Sequence, residues 1–317
     1  MMQTDEHSQS QDPALSVIIT CLNEEASIEL FHERLSSALV SLSRSYEIVL
    51  VNDGSSDNTW VKIKGLYDRD PHISVAIDLY KNAGQLAAMT AGIAHARGAA
   101  LVFMDSDLQL DPEELPALVA KFDEGYDVVS GYRRDRKDSL LRTIPSKLAN
   151  VIMRKVSKSN LRDFGCTFKI YDGRLVRAFE FGPFKPWRPA YVIARAQRVA
   201  DIPVSHHPRA FGKSGWTFRK LFAYNMDYLV GLSTRPFQIL AAVCLVLAAL
   251  FLARMVSAWA YDFSVLPEVT PGMILNAVVF SLLLLLGTLC AVGEFVIRNF
   301  AVLQHFPAYI IRELRQR

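Results

Sequence analysis

The sequence predicts an α/β protein whose open, mostly parallel sheet is followed by two apolar helices that can cross a membrane. Three observations support this prediction. Apolar, β-branched segments alternate with helical patterns between residues 15 and 130. Polar residues stand just after several of the apolar segments. Two runs without charged residues, 237–253 and 273–293, lie near the end of the chain.

Five short apolar runs predict the strands, because each is rich in β-branched or apolar residues and ends at a polar residue or turn. They cover residues 15–20, 46–51, 74–78, 100–104 and 127–130. Apolar residues at helical spacing predict helices at about 24–42, 58–68 and 84–97 and from 111 onward. This alternation suits right-handed crossovers, with helices on both faces of the sheet. Ligands of such sheets bind beyond the carboxyl ends of the strands.

Composition excludes several classes of protein. The chain has 317 residues, and its 35 Lys and Arg against 32 Asp and Glu give a net charge of +3, which argues against nucleic acid as a partner. A charged fraction of 21% excludes a disordered chain. The four cysteines form neither a close pair nor a cluster with histidine, so neither a zinc site nor a disulfide framework is expected. Residues 1–13 are predicted to be a disordered tail without the pattern of a signal peptide.

The uncharged runs predict two membrane spans, at about 237–258 and 272–297, and a pair of buried core helices is the alternative. The connection between them lacks Lys and Arg, whereas the outer flanks carry several, so the positive-inside rule places both ends in the cytoplasm. The basic stretch 133–158 predicts either a helix on an anionic membrane surface or an ordinary surface helix. Glu294 and Arg298 can pair near the inner end of the second span.

The sharpest chemical signal is the pair of carboxylates Asp105 and Asp107, which follows a predicted strand. With one residue of extended backbone between them, both can reach one hard cation together with the oxygens of a diphosphate. Mg²⁺ and Mn²⁺ suit such a site, because they keep waters and take few protein ligands. The alternative is a helix cap or a solvated turn.

A second signal follows another strand, at residues 51–57. Asp53 can accept hydrogen bonds from the N–H groups of a nucleobase, and Gly54 permits a tight turn. A plain strand-to-helix turn is the alternative. The sequence has neither G-x-G-x-x-G nor G-K-[ST], so it supports neither a dinucleotide dehydrogenase nor a P-loop enzyme.

Several stretches, taken in order, resemble glycosyltransferase family 2, which has the GT-A fold. They are residues 16–25, 51–57, 82–85, 105–109, 163–166, 209–216 and 293–309. More narrowly, the chain resembles the polyprenyl-phosphate glycosyltransferases, relatives of dolichol-phosphate mannose synthase, and among them the bacterial branch that acts on undecaprenyl phosphate and has two C-terminal spans. The resemblance covers nearly the whole chain after the tail, and the order of the motifs is more specific than any one of them.

The resemblance implies roles for the matching residues. The implied donor-binding residues are Asn23, Glu25, Asp53, Asn82, Asp105, Gln109 and Ser214. The implied metal ligands are Asp105, Asp107 and Gln109. The implied catalytic residues are Asp107, Asp163, Arg209 and Lys213. Asp53 would bind the base of the donor, while Arg209 and Lys213, with Ser214, would form a mobile basic loop for the donor diphosphate or the lipid phosphate.

The chain departs from related sequences in two places. Residues 165–169 differ from the G-D-F-R form found in part of the branch, which leaves Asp163 as the close acidic candidate, either as a base or as an orienting group. The Q-x-x-R-W motif of processive synthases such as cellulose synthase does not occur, which favours transfer of a single sugar over polymerisation.

The function implied by the resemblance is a metal-dependent, inverting transfer of one sugar from a nucleotide sugar to a polyprenyl phosphate. The reaction would take place at the cytoplasmic face of the inner membrane and would serve the modification of cell-envelope glycans. UDP-glucose is the favoured donor, while UDP-galactose, UDP-N-acetylhexosamine, UDP-4-amino-arabinose and GDP-mannose stay open. A homo-oligomer, a tetramer in this branch, would fit.

The predicted domains are a catalytic domain at 14–212, an interfacial segment at 213–236, the two spans within 237–298 and a cytoplasmic tail at 299–317. Three alternatives stay open. They are another lipid acceptor such as diacylglycerol or ceramide, a non-catalytic membrane scaffold that keeps the fold, and a small transporter or channel subunit. A non-catalytic scaffold is disfavoured because the carboxylate pair Asp105 and Asp107 is intact. A transporter or channel is disfavoured because two spans with one peripheral charge pair contain too few polar groups to line a transport pathway.

Overall fold

The structure is a computed structural model that describes residues 12–134, 159–208 and 306–317, with isolated helical positions between 154 and 157 and between 246 and 299. The first eleven residues, most of the basic stretch 133–158 and the predicted interfacial segment 213–236 lie outside the described residues. The two predicted spans, with the pair Glu294 and Arg298, lie outside the continuous described ranges. Among the described residues, no helix is both long and apolar enough to cross a membrane.

The chain forms two compact units, Met1–Phe222 with Phe306–Arg317, and Ala223–His305. The first unit contains eight described strands. They are β1 Leu15–Cys21, β2 Tyr46–Asn52, β3 Ile73–Leu79, β4 Ala100–Asp105, β5 Val128–Arg133, β6 Lys169–Asp172, β7 Val199–Val204 and β8 Ile311–Gln316. They form one sheet in the order β7-β5-β6-β4-β1-β2-β3-β8.

The described pairs of strands are mostly parallel. β1 pairs in parallel with β2 and β4, β2 with β3, and β5 with β7. β6 runs antiparallel between β4 and β5, and β8 runs antiparallel to β3 at the edge. All five predicted strands are present as β1 to β5, and the prediction of a mostly parallel sheet is confirmed.

Strands β6 and β7 were not predicted, because their sequences lack the apolar pattern of β1 to β4. β6 has four residues and begins at the buried Lys169. β7 contains Asp201 and Pro203, and both residues are uncommon in strands. β6 lies between β4 and β5, so these two predicted strands are not neighbours in the sheet.

Helices cover both faces of the sheet, as predicted. The four longer ones are α1 Ile28–Ser41, α2 Thr59–Arg69, α3 Gln85–His95 and α4 Leu115–Asp123. A 3₁₀ turn, Pro112–Glu114, precedes α4, and two short helices are Gly173–Arg177 and Pro189–Ile193. α1, α2 and α4 pack on the face that carries Val17 and Ile19, while α3 packs on the face that carries Ile18. Because side chains alternate along a strand, β1 is apolar on both faces.

The C-terminal residues correct the prediction of a tail at 299–317. Ile311–Gln316 form β8, which pairs with β3 and belongs to the first unit. Its residues alternate between half-buried and exposed, and Arg312, Glu313 and Arg315 are charged. Because of these charged residues, the segment lacks the continuous apolar run that indicates a buried strand. Charged residues are nevertheless common in a strand at the edge of a sheet.

The carboxyl ends of the central strands meet at one edge of the sheet. In the register of the strands, Cys21 lies opposite Asn52, and Thr20 lies opposite Asp105. The segments after β1, β2, β3 and β4 therefore begin at the same edge. These segments, together with the end of β4, contain the predicted site residues Asn23, Glu25, Asp53, Asn82, Asp105, Asp107 and Gln109.

Candidate active site

Asp105 and Asp107 lie where β4 ends, and Asp105 is held by one residue of α3 and one residue of the segment before β6. Gln85 Nε2 donates to Asp105 Oδ1 at 2.6 Å, and Thr167 Oγ1 donates to Asp105 Oδ2 at 2.6 Å. Asp107 is 7% exposed, and its Oδ1 accepts a hydrogen bond from the backbone N–H of Gln109 at 3.2 Å. The two carboxylates are therefore held in place by the protein.

Both carboxylates line a pocket at this edge of the sheet. Its lining residues are Asp105, Asp107, Gln109, Leu110, Arg133, Gly165, Cys166, Thr167 and His206. Within the described ranges, no three His, Cys, Asp or Glu side chains lie close enough together to hold a metal ion. Two carboxylates and the Gln109 amide still fit Mg²⁺ or Mn²⁺, since these ions take few protein ligands and bind water and phosphate oxygens.

Residues 52–58 form the Asp53 turn, which follows β2. Asp53 is 3% exposed, and its carboxylate accepts the backbone N–H groups of Ala83 at 2.7 Å and Gly84 at 3.1 Å. Burial raises the pKa of Asp53 to about 6, although these two hydrogen bonds lower it. Asp53 thus fixes the loop after β3, in which Asn82 is exposed.

Asn23 and Glu25 hold the Asp53 turn from the side of β1. Asn23 has a φ of 56°; its N–H donates to Ser55 Oγ at 2.9 Å and its Oδ1 accepts the N–H of Ser56 at 2.8 Å. Glu25 accepts hydrogen bonds from the backbone and side-chain nitrogens of Asn58 at 3.1 Å and 3.0 Å. The structure therefore brings Asn23, Glu25 and the Asp53 turn together.

Asp163 forms a two-pronged ion pair with Arg133. Arg133 Nε donates to Asp163 Oδ2 at 2.7 Å, and Nη2 donates to Oδ1 at 3.0 Å. Oδ1 also accepts the N–H of Gly165 at 3.1 Å. Arg133 lines the pocket with Asp105 and Asp107, whereas Asp163 is not among the lining residues. Because a guanidinium engages both oxygens of Asp163, this geometry favours the orienting role over the base role.

The predicted basic loop, with Arg209, Lys213 and Ser214, lies outside the described residues. The segment that leads to it is bound to the turn after β4. The N–H of His207 donates to the carbonyl oxygen of Gln109 at 2.8 Å, and His207 Nε2 lies 2.7 Å from Asp111 Oδ2. The last described residues before the predicted loop are thus next to the pocket.

Four further residues of the site had no role predicted from the sequence: Gln85, Thr167, Arg133 and His206. Gln85 lies within the stretch 82–85, which resembles the family, and Thr167 lies within residues 165–169, which differ from the G-D-F-R form. The sequence therefore marked both segments, although not the contacts of these two residues with Asp105. Nothing in the sequence indicated that Arg133 or His206 belongs to the site. Only the pairing of distant strands brings β5 and the residues after β7 to the end of β4.

Comparison with known proteins identifies related sequences. Residues 16–181 match the sequence model of Glycosyl transferase family 2. An undecaprenyl-phosphate 4-deoxy-4-formamido-L-arabinose transferase of Salmonella choleraesuis is 37% identical over 241 residues, which are 74% of this chain and 72% of that protein. The protein of the same name from Salmonella paratyphi B is 36% identical over 241 residues, with the same shares of both chains.

A solved structure has a similar fold. Glucosyl-3-phosphoglycerate synthase from Mycobacterium tuberculosis, in complex with phosphoglyceric acid, matches with a TM-score of 0.50 at 19% identity. The match covers 69% of this chain and 79% of that chain. It supports the GT-A arrangement of the sheet that the resemblance to the family implied.

Proposed function

This chain belongs to glycosyltransferase family 2 and is a glycosyltransferase, and we propose that it transfers one sugar from a UDP-sugar to a polyprenyl phosphate. The observation that carries the proposal is the pair Asp105 and Asp107, held at the end of β4 on the same sheet edge as the Asp53 turn. The pair suits a metal–diphosphate unit, and the turn suits a nucleobase. Together they fit a nucleotide sugar.

The base of the donor would contact the Asp53 turn. The carboxylate of Asp53 already accepts two backbone N–H groups, and its further lone pairs can accept an N–H of uracil. Asn23 and Glu25 shape this turn, and Asn82 lies on the loop that Asp53 fixes. The role of Asn82 is proposed from the resemblance and from this position.

The diphosphate would lie at the end of β4. A bound divalent metal would supply positive charge to the leaving diphosphate. Asp105, Asp107 and Gln109 would hold this metal, and the hydrogen bonds from Gln85 and Thr167 keep Asp105 oriented before the donor arrives. Further charge-assisted hydrogen bonds to phosphate are proposed for Arg209, Lys213 and Ser214 on the strength of the resemblance.

The proposed reaction is a single displacement. An oxygen of the acceptor phosphate bonds to the anomeric carbon as the bond from that carbon to the diphosphate breaks, so the configuration inverts and UDP leaves. A phosphate monoester is mostly ionised at neutral pH, with a second pKa of about 6, and needs little help from a base. The protein aligns the reactants and stabilises the leaving group. The ion pair of Asp163 and Arg133 keeps a guanidinium at the wall of the pocket.

The names of the relatives favour undecaprenyl phosphate as the acceptor and 4-deoxy-4-formamido-L-arabinose as the sugar, whereas the sequence resemblance favoured glucose. A donor screen with full-length protein, undecaprenyl phosphate and Mg²⁺ or Mn²⁺ separates these sugars by the mass of the lipid product. Transfer from a UDP-sugar would support the proposal. Transfer from GDP-mannose alone would overturn the donor, and preference for diacylglycerol or ceramide in competition would overturn the acceptor.

We propose that the reaction takes place at a membrane surface, because a polyprenyl phosphate stays in the bilayer. The cytoplasmic face of the inner membrane is proposed because the charges that flank the predicted spans follow the positive-inside rule. The spans at 237–258 and 272–297, the basic surface stretch 133–158 and a homo-tetramer stay predictions. The described part of the chain offers one surface that supports contact with lipid.

That surface is an exposed apolar patch around the start of β8. Tyr80, Phe184, Phe306 and Ile310 are 66%, 48%, 71% and 58% exposed. The N–H of Tyr80 donates to the carbonyl oxygen of Ile310 at 2.9 Å, and the N–H of Ala308 donates to that of Pro183 at 2.7 Å, so these segments adjoin. The exposed Lys81 and Lys185 are next to two of the aromatic residues. Aromatic side chains beside lysines suit an anionic lipid surface, and Phe306 follows the predicted second span.

Replacing Phe184 with Asp in full-length protein in anionic vesicles is expected to raise the KM for undecaprenyl phosphate. A Phe side chain that enters the interface contributes about 1.5 kcal/mol, which corresponds to about tenfold. The affinity for UDP should not change. Val61→Asp is the control, because it places the same charge on an exposed apolar residue of α2. An unchanged KM for Phe184→Asp would contradict contact between the patch and lipid.

Binding of UDP is expected to weaken as the pH falls through about 6, where Asp53 takes up a proton. A protonated carboxyl group loses acceptor capacity for the base, so affinity should fall by up to about tenfold per pH unit below this value. The stability of the fold changes with pH in the opposite direction. Because the pKa of Asp53 is raised in the folded protein, the contribution of Asp53 to the free energy of unfolding is largest at low pH and falls as the pH rises through about 6. Calorimetric titration with UDP across this range, with Asp53→Asn as the control, measures the first effect. A flat profile would contradict recognition of the base by Asp53.

A further inference from the structure

The C-terminal strand places a cation against a buried carboxylate that the proposed reaction does not use. Asp78, in β3, is fully buried. Arg312, in β8, donates from Nε to Asp78 Oδ2 at 2.6 Å. A buried carboxylate is costly to keep ionised without such a partner. Arg312 therefore compensates the charge of Asp78 inside the sheet.

A β-bulge gives Arg312 this position. The register between β3 and β8 passes from Asp78 opposite Glu313 to Leu79 opposite Ile311, so Arg312 is the extra residue. Such a residue is released from the regular alternation of the strand, and its side chain can be redirected. Here the redirected side chain reaches Asp78.

A line of hydrogen bonds runs from Asp78 to the Asp53 turn. Asn52 Nδ2 donates to Asp78 Oδ1 at 2.7 Å. Ser55 Oγ donates to Asn52 Oδ1, and the N–H of Asn23 donates to Ser55 Oγ at 2.9 Å. Asn23 Oδ1 in turn accepts the N–H of Ser56 at 2.8 Å. Four contacts thus connect the carboxylate beside Arg312 with both sides of the turn.

The carboxylate at the start of this line determines the direction of the bonds that follow. Ionised Asp78 can only accept, so Asn52 turns its NH₂ group towards it and its carbonyl oxygen towards Ser55. The hydroxyl of Ser55 then donates to Asn52 and leaves a lone pair for the N–H of Asn23. Without the positive charge of Arg312, the orientation of these hydrogen bonds is no longer fixed, because the side-chain amide of Asn52 can then rotate.

We propose that Arg312 is a positioning residue for nucleotide binding, and that it acts through Asp78 and Asn52 to hold the Asp53 turn in its binding shape. The nucleotide part of this inference rests on the proposed function, whereas the coupling between β8 and the turn does not. A residue that follows both predicted spans in the sequence would thus set the affinity of the donor site.

Arg317 offers a matched control, because it also ties β8 to the domain but does not contact Asp78. Its guanidinium lies 4.2 Å from the centre of the Tyr67 ring, and Nη1 donates to the carbonyl oxygen of Asp70 at 2.9 Å. Arg317→Ala loosens the end of β8 without removing the charge beside Asp78. If β8 acted only by docking, Arg312→Ala and Arg317→Ala would have the same effect on the turn.

Hydrogen exchange of the full-length protein without ligand tests the coupling. Arg312→Ala is expected to speed exchange of the amides of Asn23 and of residues 52–58 about tenfold, the factor for loss of one charge-assisted hydrogen bond. Arg317→Ala should leave these amides unchanged, and Arg312→Lys, which keeps the positive charge, should restore most of their protection. Unchanged exchange in Arg312→Ala, or an equal increase in Arg317→Ala, would overturn the inference.

Binding of UDP tests the route. Arg312→Ala is expected to raise the Kd for UDP about tenfold and to add little in an Asp78→Asn background, since both changes act through the same carboxylate. Fully additive effects would overturn the route through Asp78. If the wild-type protein did not bind UDP, the proposed donor would be wrong, while the exchange measurement would still decide the coupling.

Discussion

Replacing Asp107 with Asn is expected to lower the rate of sugar transfer about a thousandfold. Asn has nearly the same shape but lacks the negative charge that holds a divalent cation beside the diphosphate. The fold should survive, because Asn Oδ1 can still accept the N–H of Gln109 as Asp107 does. Single-turnover transfer to undecaprenyl phosphate measures the effect. Binding of Mn²⁺, followed by its electron spin resonance, should weaken in parallel.

Asp123→Asn is the matched control for this substitution. Asp123 lies at the end of α4 and pairs with Arg44 in a solvent-exposed ion pair, so its loss should change neither the transfer rate nor Mn²⁺ binding. Near-normal transfer by folded Asp107→Asn with Mn²⁺ present would contradict the role assigned to the carboxylate pair.

Replacing Gly54 with Ala is expected to have the largest effect on stability. Gly54 has a φ of +63°, and a Cβ atom there would overlap the backbone of Lys81 and Asn82. The left-handed conformation costs an Ala residue about 1–2 kcal/mol, and overpacking costs about 1–3 kcal/mol more. The loop after β3 cannot move aside easily, because Asp53 holds its backbone at Ala83 and Gly84. We therefore expect the melting temperature to fall by about 5–15 °C.

Gly65→Ala is the control for the Gly54 substitution. Gly65 lies in α2, and a Cβ atom there would meet nothing within 4 Å. Since Ala is the better helix former by about 1 kcal/mol, this variant should be as stable as the wild type or more stable. Equal melting temperatures for Gly54→Ala and the wild type would contradict the close approach of the Asp53 turn to the loop after β3.

The central sheet could be predicted because β1 to β4 are buried on both faces. In β1, for example, Val17, Ile18 and Ile19 are all buried, so this strand appears in the sequence as an unbroken apolar run. Strand β8 gave no such signal. It lies at an edge, and Arg312, Glu313 and Arg315 interrupt its apolar residues. It also pairs with a strand more than two hundred residues earlier in the chain, as the pair Asp78 and Glu313 illustrates. Pairing over that distance depends on the tertiary fold.

The site residues that could be predicted are those that lie at the end of one strand or in the turn that follows it. Asp105 and Asp107 stand together in the sequence, and Asp53 stands in a recognisable turn. The residues that hold them come from elsewhere: Gln85 from α3 and Thr167 from the segment before β6. Asp163 was left as either a base or an orienting group, and its pairing with Arg133 depends on a contact with β5 that local sequence does not encode.

The ratio of UDP released to lipid product formed decides whether this protein transfers a single sugar with inversion. Purified full-length protein would be given undecaprenyl phosphate, Mn²⁺ and the UDP-sugar selected by the donor screen. We expect one UDP to be released for each lipid phosphate that gains a single sugar, with the anomeric configuration inverted relative to the donor. Release of UDP without a lipid product, or a product with retained configuration or several sugars, would contradict single, inverting transfer to the lipid phosphate.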